Sequence, residues 1–351
     1  MPKIQKTRIP QVQAPDRQSR PTDRQSRPLA DCHLHFEGSL PRGTFERLAR
    51  RAGSPLADSA VFEAARRSAR DAPGFLSLYA EVCGLFRQPE DYGEAARAIA
   101  EALGRDGVAY AEVYVSPEIF SRMRLDAEAC LAAIAGAFHE RPGGCDCRIL
   151  LDVVRQWGPG SADRVLDLHE KTSLASVVGF GMGGDENSFP AAAYAGVYAR
   201  ARALGLKTSV HAGEWAGADS LEQALDALRP DRVDHGIAAA ADERLVRRLA
   251  SEATTLCMAP SGNVATGATR SFEEHPLPRL LKAGVRVALS ADDPLLFGTT
   301  TAGEYLVARE RLGLGNPELR KLAENSWRGA FCAEGERAAG VAALKDWRPP
   351  G

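Results

Sequence analysis

Lys207 to Ala259 reads KTSVHAGEWAGADSLEQALDALRPDRVDHGIAAAADERLVRRLASEATTLCMA. Three short apolar runs, Lys207 to His211, Arg232 to His235 and Thr254 to Ala259, have strand length. The stretches between them, Ser220 to Leu228 and Glu243 to Ser251, carry apolar residues at helical spacing. Strand, helix, strand at this pitch is the pattern of βα units on a parallel sheet. The same alternation extends outward, with candidate strands at Leu29 to His35, Val108 to Ser116, Arg148 to Val154, Val177 to Gly183 and Val285 to Ser290. Helical segments fall at Pro190 to Leu204 and Glu274 to Ala283. Eight such strands predict an α/β fold, a (β/α)8 TIM barrel.

Two regions depart from a minimal barrel. Pro41 to Arg105, after the first strand, has periodic apolar residues (Phe45, Leu48, Phe75, Leu78, Leu85, Phe86) that predict several helices, an insert placed to cap the site. After Pro294 the chain continues in extra C-terminal helices that need not belong to the barrel proper. At 351 residues and 44% hydrophobic composition, one barrel of roughly 250 to 400 residues uses nearly the whole chain, over residues 29–351. Residues 1–28 are polar, repeat DRQSRP at Asp16 and Asp23, and are expected to be a disordered tail, because they cannot bury enough apolar surface to offset ordering entropy.

A net charge of −2 leaves no basic field for a phosphate backbone or an anionic membrane, so a small-molecule substrate is expected, with no nucleic acid and no membrane. No stretch approaches the ~18 apolar residues of a span, and none near Met1 reads as a signal sequence, so a cytoplasmic enzyme is expected. The seven cysteines are scattered through a large chain, which favours reduced thiols. Cys145 and Cys147 form a lone C-x-C without the second pair that structural zinc requires.

In a barrel, functional groups gather at the C-terminal ends of the strands. Strand one ends in His33-Leu34-His35, whose period-2 spacing puts both imidazoles on one face. Strand five ends in His211-Ala-Gly-Glu214, strand six in Asp234-His235-Gly236, and strand eight in Ser290-Ala-Asp292-Asp293-Pro294. Histidines and a carboxylate converging at one barrel mouth offer the nitrogen and oxygen ligands that suit Zn²⁺. His139, His169 and His275 fall in predicted helices or loops, where a surface or packing role is expected.

With these residues in place, the sequence resembles the adenosine deaminase family, through HLHFEGSL (His33 to Leu40), GFGMGGDE (Gly179 to Glu186), SVHAGE (Ser209 to Glu214), DHGI (Asp234 to Ile237) and SADDPLLF (Ser290 to Phe297). The resemblance covers about residues 29–335 and implies one zinc ion per chain, held by His33, His35, His211 and Asp292. Zinc can bring the pKa of a bound water from roughly 15.7 to about 7, which would supply the nucleophile. The family pattern gives Glu214 the proton for a ring nitrogen, so it must be protonated, as burial favours. His235 matches the histidine that positions the water and assists proton transfer, Asp293 a carboxylate that hydrogen-bonds the ring, and Gly184 a backbone N–H donor to a ring nitrogen. Two adjacent aspartates are not expected to point the same way from one strand.

The implied reaction is hydrolytic deamination of a 6-aminopurine nucleoside or nucleoside-like compound. Where adenosine-acting members read H-x-H-x-D-G, with the aspartate on the ribose, this chain has Glu37, which looks like the relatives that deaminate adenine or aminodeoxyfutalosine. DDPLLFGT (Asp292 to Thr299) leans toward the latter. Gly184-Asp185-Glu186 stands against adenine, whose enzymes carry serine and glutamate there, whereas Asp234 before His235 is adenine-like. Trp215 is expected to narrow or restack the substrate site. The alternative class, a zinc amidohydrolase cleaving an amide or ester, often bridges two metals with a lysine near the end of strand four, and here Gly183 and Gly184 occupy that region. The P-C-x-x-C of the other nucleobase deaminases is absent.

Overall fold

The computed structural model describes residues 28–350. The expected tail lies outside the described residues except for Pro28, whose carbonyl accepts the indole N–H of Trp327 at 2.9 Å. Eight strands follow in chain order, β1 (Leu29–His35), β2 (Val108–Val115), β3 (Asp146–Val154), β4 (Val177–Gly183), β5 (Lys207–Ala212), β6 (Arg232–His235), β7 (Thr255–Met258) and β8 (Arg286–Leu289). Each pairs in parallel with the next, in the order β1 to β8. The strands are buried nearly throughout, as expected when both faces of a parallel sheet are covered.

Helices supply the outer cover. Ala218–Leu228 buries Leu221, Ala224, Leu225 and Leu228, one stripe at helical spacing. Glu243–Glu252 buries Leu245, Val246 and Leu249, and its first turn is capped by Asp242, which accepts from the N–H groups of Arg244 and Leu245. The insert forms four α-helices, Arg42–Ala52, Ser59–Ser68, Ala72–Cys83 and Pro89–Arg105. The third of them brings Phe75, Leu76 and Tyr79 over the barrel mouth, which is the capping role expected of the insert.

The C-terminal helices are less peripheral than the sequence suggests. Asn316–Gly329 packs against β8 and β1. There Asn325 donates to the Val287 carbonyl at 2.8 Å and the Ser326 carbonyl accepts the Cys32 thiol at 3.2 Å. This helix therefore serves as barrel cover where first and last strands meet. No described helix is long and apolar enough to cross a membrane.

Between β8 and β1 the sheet closes through a single residue beyond the last strand. Asp292 N–H donates to the His33 carbonyl at 3.1 Å, and the Asp292 carbonyl accepts from His35 N–H at 3.0 Å, a parallel bridge opposite Leu34. Lower in the barrel Arg232 is fully buried. Its guanidinium donates to Glu112 at 2.5 Å and to the carbonyls of Gly329 and Cys32 at 3.1 and 2.7 Å, and it lies 4.1 Å from the Phe331 ring centre. A buried charge without its partner costs several kcal/mol. Arg232→Met should therefore lower the unfolding free energy in urea by about 3–5 kcal/mol. Adding Glu112→Gln, which removes the orphaned charge but keeps an acceptor for Tyr110 and Phe331, should recover most of the loss. A single substitution that leaves the urea midpoint in place would contradict this account.

Candidate active site

Three strand ends deliver one cluster of four side chains. His33 and His35 leave β1 on the same face, and each places its Nε2 3.0 Å from Nε2 of His211, at the end of β5. Asp292 brings Oδ1 to 3.4 Å from both β1 imidazoles. One donor atom from each of the four lies within 4.8 Å of all the others, among the described residues. The His211 tautomer is set from behind, because Nδ1 meets the Met182 carbonyl at 3.1 Å and so carries the proton. Its Nε2 lone pair therefore faces the cluster. Three imidazole nitrogens and a carboxylate oxygen drawn onto one point, with burial pushing all three histidines toward the neutral state, form a donor set that fits a divalent metal ion.

The sequence expectation that Asp292 and Asp293 diverge is corrected by the backbone. Strict alternation holds only within a strand, and β8 ends at Leu289. Asp292 adopts φ +59°, in the left-handed region, which turns the chain so that both aspartates line the same cavity. Asp293 is buried with one carboxylate oxygen unpartnered. The tightness of this turn shows at Gly38, where a Cβ would stand 1.6 Å from Asp293 Oδ1.

Glu214 is buried, with Oε2 3.4 Å from His235 Nε2 and Oε1 3.5 Å from Asn263 Nδ2. Burial, then the negative charges of Asp292 and Glu186, hold its carboxyl well above the usual range. Gly184 lines the cavity at φ +101°, with Gln156 so close that a Cβ would lie 2.1 Å from its amide oxygen. Glu37 sits behind the wall, buried, accepting the Tyr79 hydroxyl at 2.7 Å, while Tyr79 lines the cavity. Burial pushes the Glu37 carboxyl up to about 7. Asp234 also lies away from the cavity, accepting from Tyr114 and, at 2.7 Å, from Ser209, within 3.7 Å of His211 Nδ1. It acts on the histidines from beneath.

The cavity over the cluster has a volume of about 270 Å³. Phe75 stacks on Phe297, with centroids 5.3 Å apart, and Trp215 stands 6.5 Å from Phe75 on the same wall. Trp215 lines this cavity. At another part of the lining, Asp152 pairs with Ser116 at 2.6 Å and keeps one buried oxygen unpartnered.

Several contributors have structural roles that no local sequence signal shows. Glu186 is buried and gathers the loop after β5, accepting from the N–H groups of Gly213, Glu214, Trp215 and Ala216 and from the Ser220 hydroxyl. Arg155, also buried, donates to the carbonyls of Phe189 and His211. His275, expected at a surface or in packing, is buried and hydrogen-bonded to Asn263 at 3.2 Å. His139 is exposed at the end of its helix and His169 is half-buried, as expected of residues outside the site.

Comparison with known proteins gives a consistent picture. The family model described as adenosine deaminase matches residues 28–347. Adenine deaminase of Chelativorans sp. (strain BNC1) is 35% identical over 318 residues, 90% of this chain and 97% of the relative. Among solved structures, adenine deaminase from Arthrobacter aurescens superposes with a TM-score of 0.87 at 29% identity, covering 92% of this chain and 99% of that one. An amidohydrolase from Burkholderia ambifaria with bound Zn gives a TM-score of 0.84 at 25% identity, covering 92% and 91%.

Glu186→Ala would leave four consecutive N–H groups without their acceptor and free the loop that carries Glu214. A catalytic group displaced by about 1 Å can cost on the order of 100-fold in rate, and that is the expected loss in kcat, with metal content unchanged by elemental analysis. Full activity in this variant would show that the loop holds itself.

Proposed function

The chain belongs to the adenosine deaminase family, hydrolases acting on the C–N bonds of cyclic amidines, and from that premise we propose a zinc-dependent deaminase of 6-aminopurines. The reaction adds water at the amine-bearing ring carbon and releases ammonia, leaving the 6-oxopurine. The observation that carries this reading is the meeting of the histidine and aspartate cluster with a buried Glu214 whose carboxyl is held up. His33, His35, His211 and Asp292 would hold the metal, for which zinc suits the nitrogen-rich donor set. Bound there, zinc would supply the Lewis acidity that activates a water for attack near neutral pH.

The remaining roles belong to the protein. Glu214, neutral before reaction, gives its proton to a ring nitrogen as electron density moves there. Gly184 N–H and Asp293 hold the ring, and Glu37 bears on specificity through Tyr79 rather than by direct contact. His235 faces Glu214 across 3.4 Å and is placed to orient the attacking water. The aromatic wall of Phe75, Trp215 and Phe297 excludes water from one side and offers a surface for a flat heterocycle. The catalytic domain is residues 29–351.

For the substrate, the cavity extends past the cluster to Asp152 and Ser116, which supports a purine carrying a nucleoside-like arm. A second reading, adenine itself, is favoured by the adenine deaminases among the relatives and by a cavity near the small end of ligand sites, roughly 300–1,000 Å³.

Ammonia release by the zinc-loaded protein across adenosine, 2′-deoxyadenosine, adenine, AMP and aminodeoxyfutalosine separates these readings. One compound should turn over, and Glu214→Gln should lower kcat by about 10²- to 10⁴-fold. Because the acid must be protonated, kcat should fall as pH rises through the elevated Glu214 pKa. Silence across the panel with zinc bound would reject the deaminase reading.

A further inference from the structure

Three buried side chains form a chain of hydrogen bonds that ends at the reacting centre. His235, Asn263 and His275 are at most 4% exposed. The backbone N–H of Leu277 donates to His275 Nδ1 at 3.2 Å, His275 Nε2 meets Asn263 Oδ1 at 3.2 Å, and Asn263 Nδ2 meets His235 Nδ1 at 3.0 Å. Asn263 and His275 lie in the long connection from β7 to β8, while His235 ends β6.

The direction of every bond follows from its first member. A backbone N–H can only donate, so His275 Nδ1 is an acceptor. Burial holds the His275 pKa down to about 4, so the ring is neutral and its single proton sits on Nε2. That proton needs an acceptor, which places the Asn263 amide oxygen toward His275 and its NH2 toward His235. The same NH2 also reaches Glu214 Oε1 at 3.5 Å. With the amide flipped, its NH2 would face the His275 N–H, two donors head to head.

From this geometry we infer that Asn263 and His275 are positioning residues that fix His235 in the tautomer with its proton on Nε2. That proton points into the site, toward Glu214 Oε2 at 3.4 Å and Asp292 Oδ2 at 3.9 Å. Resting His235 therefore meets substrate or water as a hydrogen-bond donor. It orients an oxygen by donating to it and has no lone pair on Nε2 with which to take a proton. The left-handed backbone at His235, φ +63°, aims the ring this way and is the kind of strain retained where orientation matters.

The inference rests on the proposed deaminase for its catalytic meaning, but its central claim is a proton position that can be measured without turnover. The zinc-loaded full chain labelled with ¹⁵N in its histidine rings has seven histidines, and loss of one set of resonances in His235→Ala assigns the ring. Long-range ¹H–¹⁵N spectra should then show His235 Nε2 protonated and Nδ1 bearing the lone pair. In His275→Leu the two tautomers should mix, with kcat reduced about tenfold, the scale of one hydrogen bond, and KM little changed. His275→Gln, which keeps a donor toward Asn263, should restore both. A proton on Nδ1 in the unsubstituted enzyme overturns the inference, as does an unaltered His235 spectrum in His275→Leu. If that variant does not fold, the unsubstituted spectrum alone decides. Failure of turnover on every purine would count against the deaminase and leave the proton position standing.

Discussion

Two hydrogen bonds from one residue hold the molecule in its working form. Asp292 closes the barrel by bracketing Leu34, donating to the His33 carbonyl and accepting from the His35 amide. The residues on either side of that bridge are two of the four in the candidate metal cluster, and Asp292 is itself another. Barrel closure and site assembly are thus one event. The left-handed conformation of Asp292 follows from the double duty, since its backbone must pair with β1 while its carboxylate reaches over the imidazoles.

Beneath the cluster the barrel is charged rather than oily. Arg232, Glu112 and Asp234 are fully buried, and burial on this scale is tolerated only when each charge meets partners of opposite sign or oriented dipoles. Arg232 satisfies Glu112 and two carbonyls, and Asp234 takes hydroxyls from Tyr114 and Ser209. Above it, Glu186 plays the same part for the loop after β5. After burial and the charge of Asp292, the negative charge of Glu186 also disfavours ionisation of Glu214, the side chain whose loop it holds.

Much of this was legible in sequence because its signals are local. The strand termini carrying His33, His35, His211, Glu214, His235 and Asp292 stand out where an apolar run meets a cluster of polar residues, and β1, β4 and β6 have the bounds the pattern predicts. Short strands β7 and β8 end earlier than their apolar runs do, because the chain leaves the sheet while still buried. That early exit defeats the alternation argument at Asp293. The structural roles of Glu186, Asn263 and His275 are not legible for another reason: each is set by hydrogen bonds to another segment of the chain, which no periodicity betrays. The place of the helix Asn316–Gly329 against β8 and β1 is not legible, because nothing in its amphipathic pattern says which strands it covers.

The bridge at Asp292 also bears on how the protein acquires its metal during synthesis. Two candidate ligands emerge from the ribosome almost at once and the last only after seven further strands have been made. A growing chain can offer a pair of histidines, and a third once β5 is made, but not the aspartate that completes the set. Selection of the ion is thereby deferred until the barrel has shut and its geometry can discriminate. The complete ligand set is a property of the finished fold.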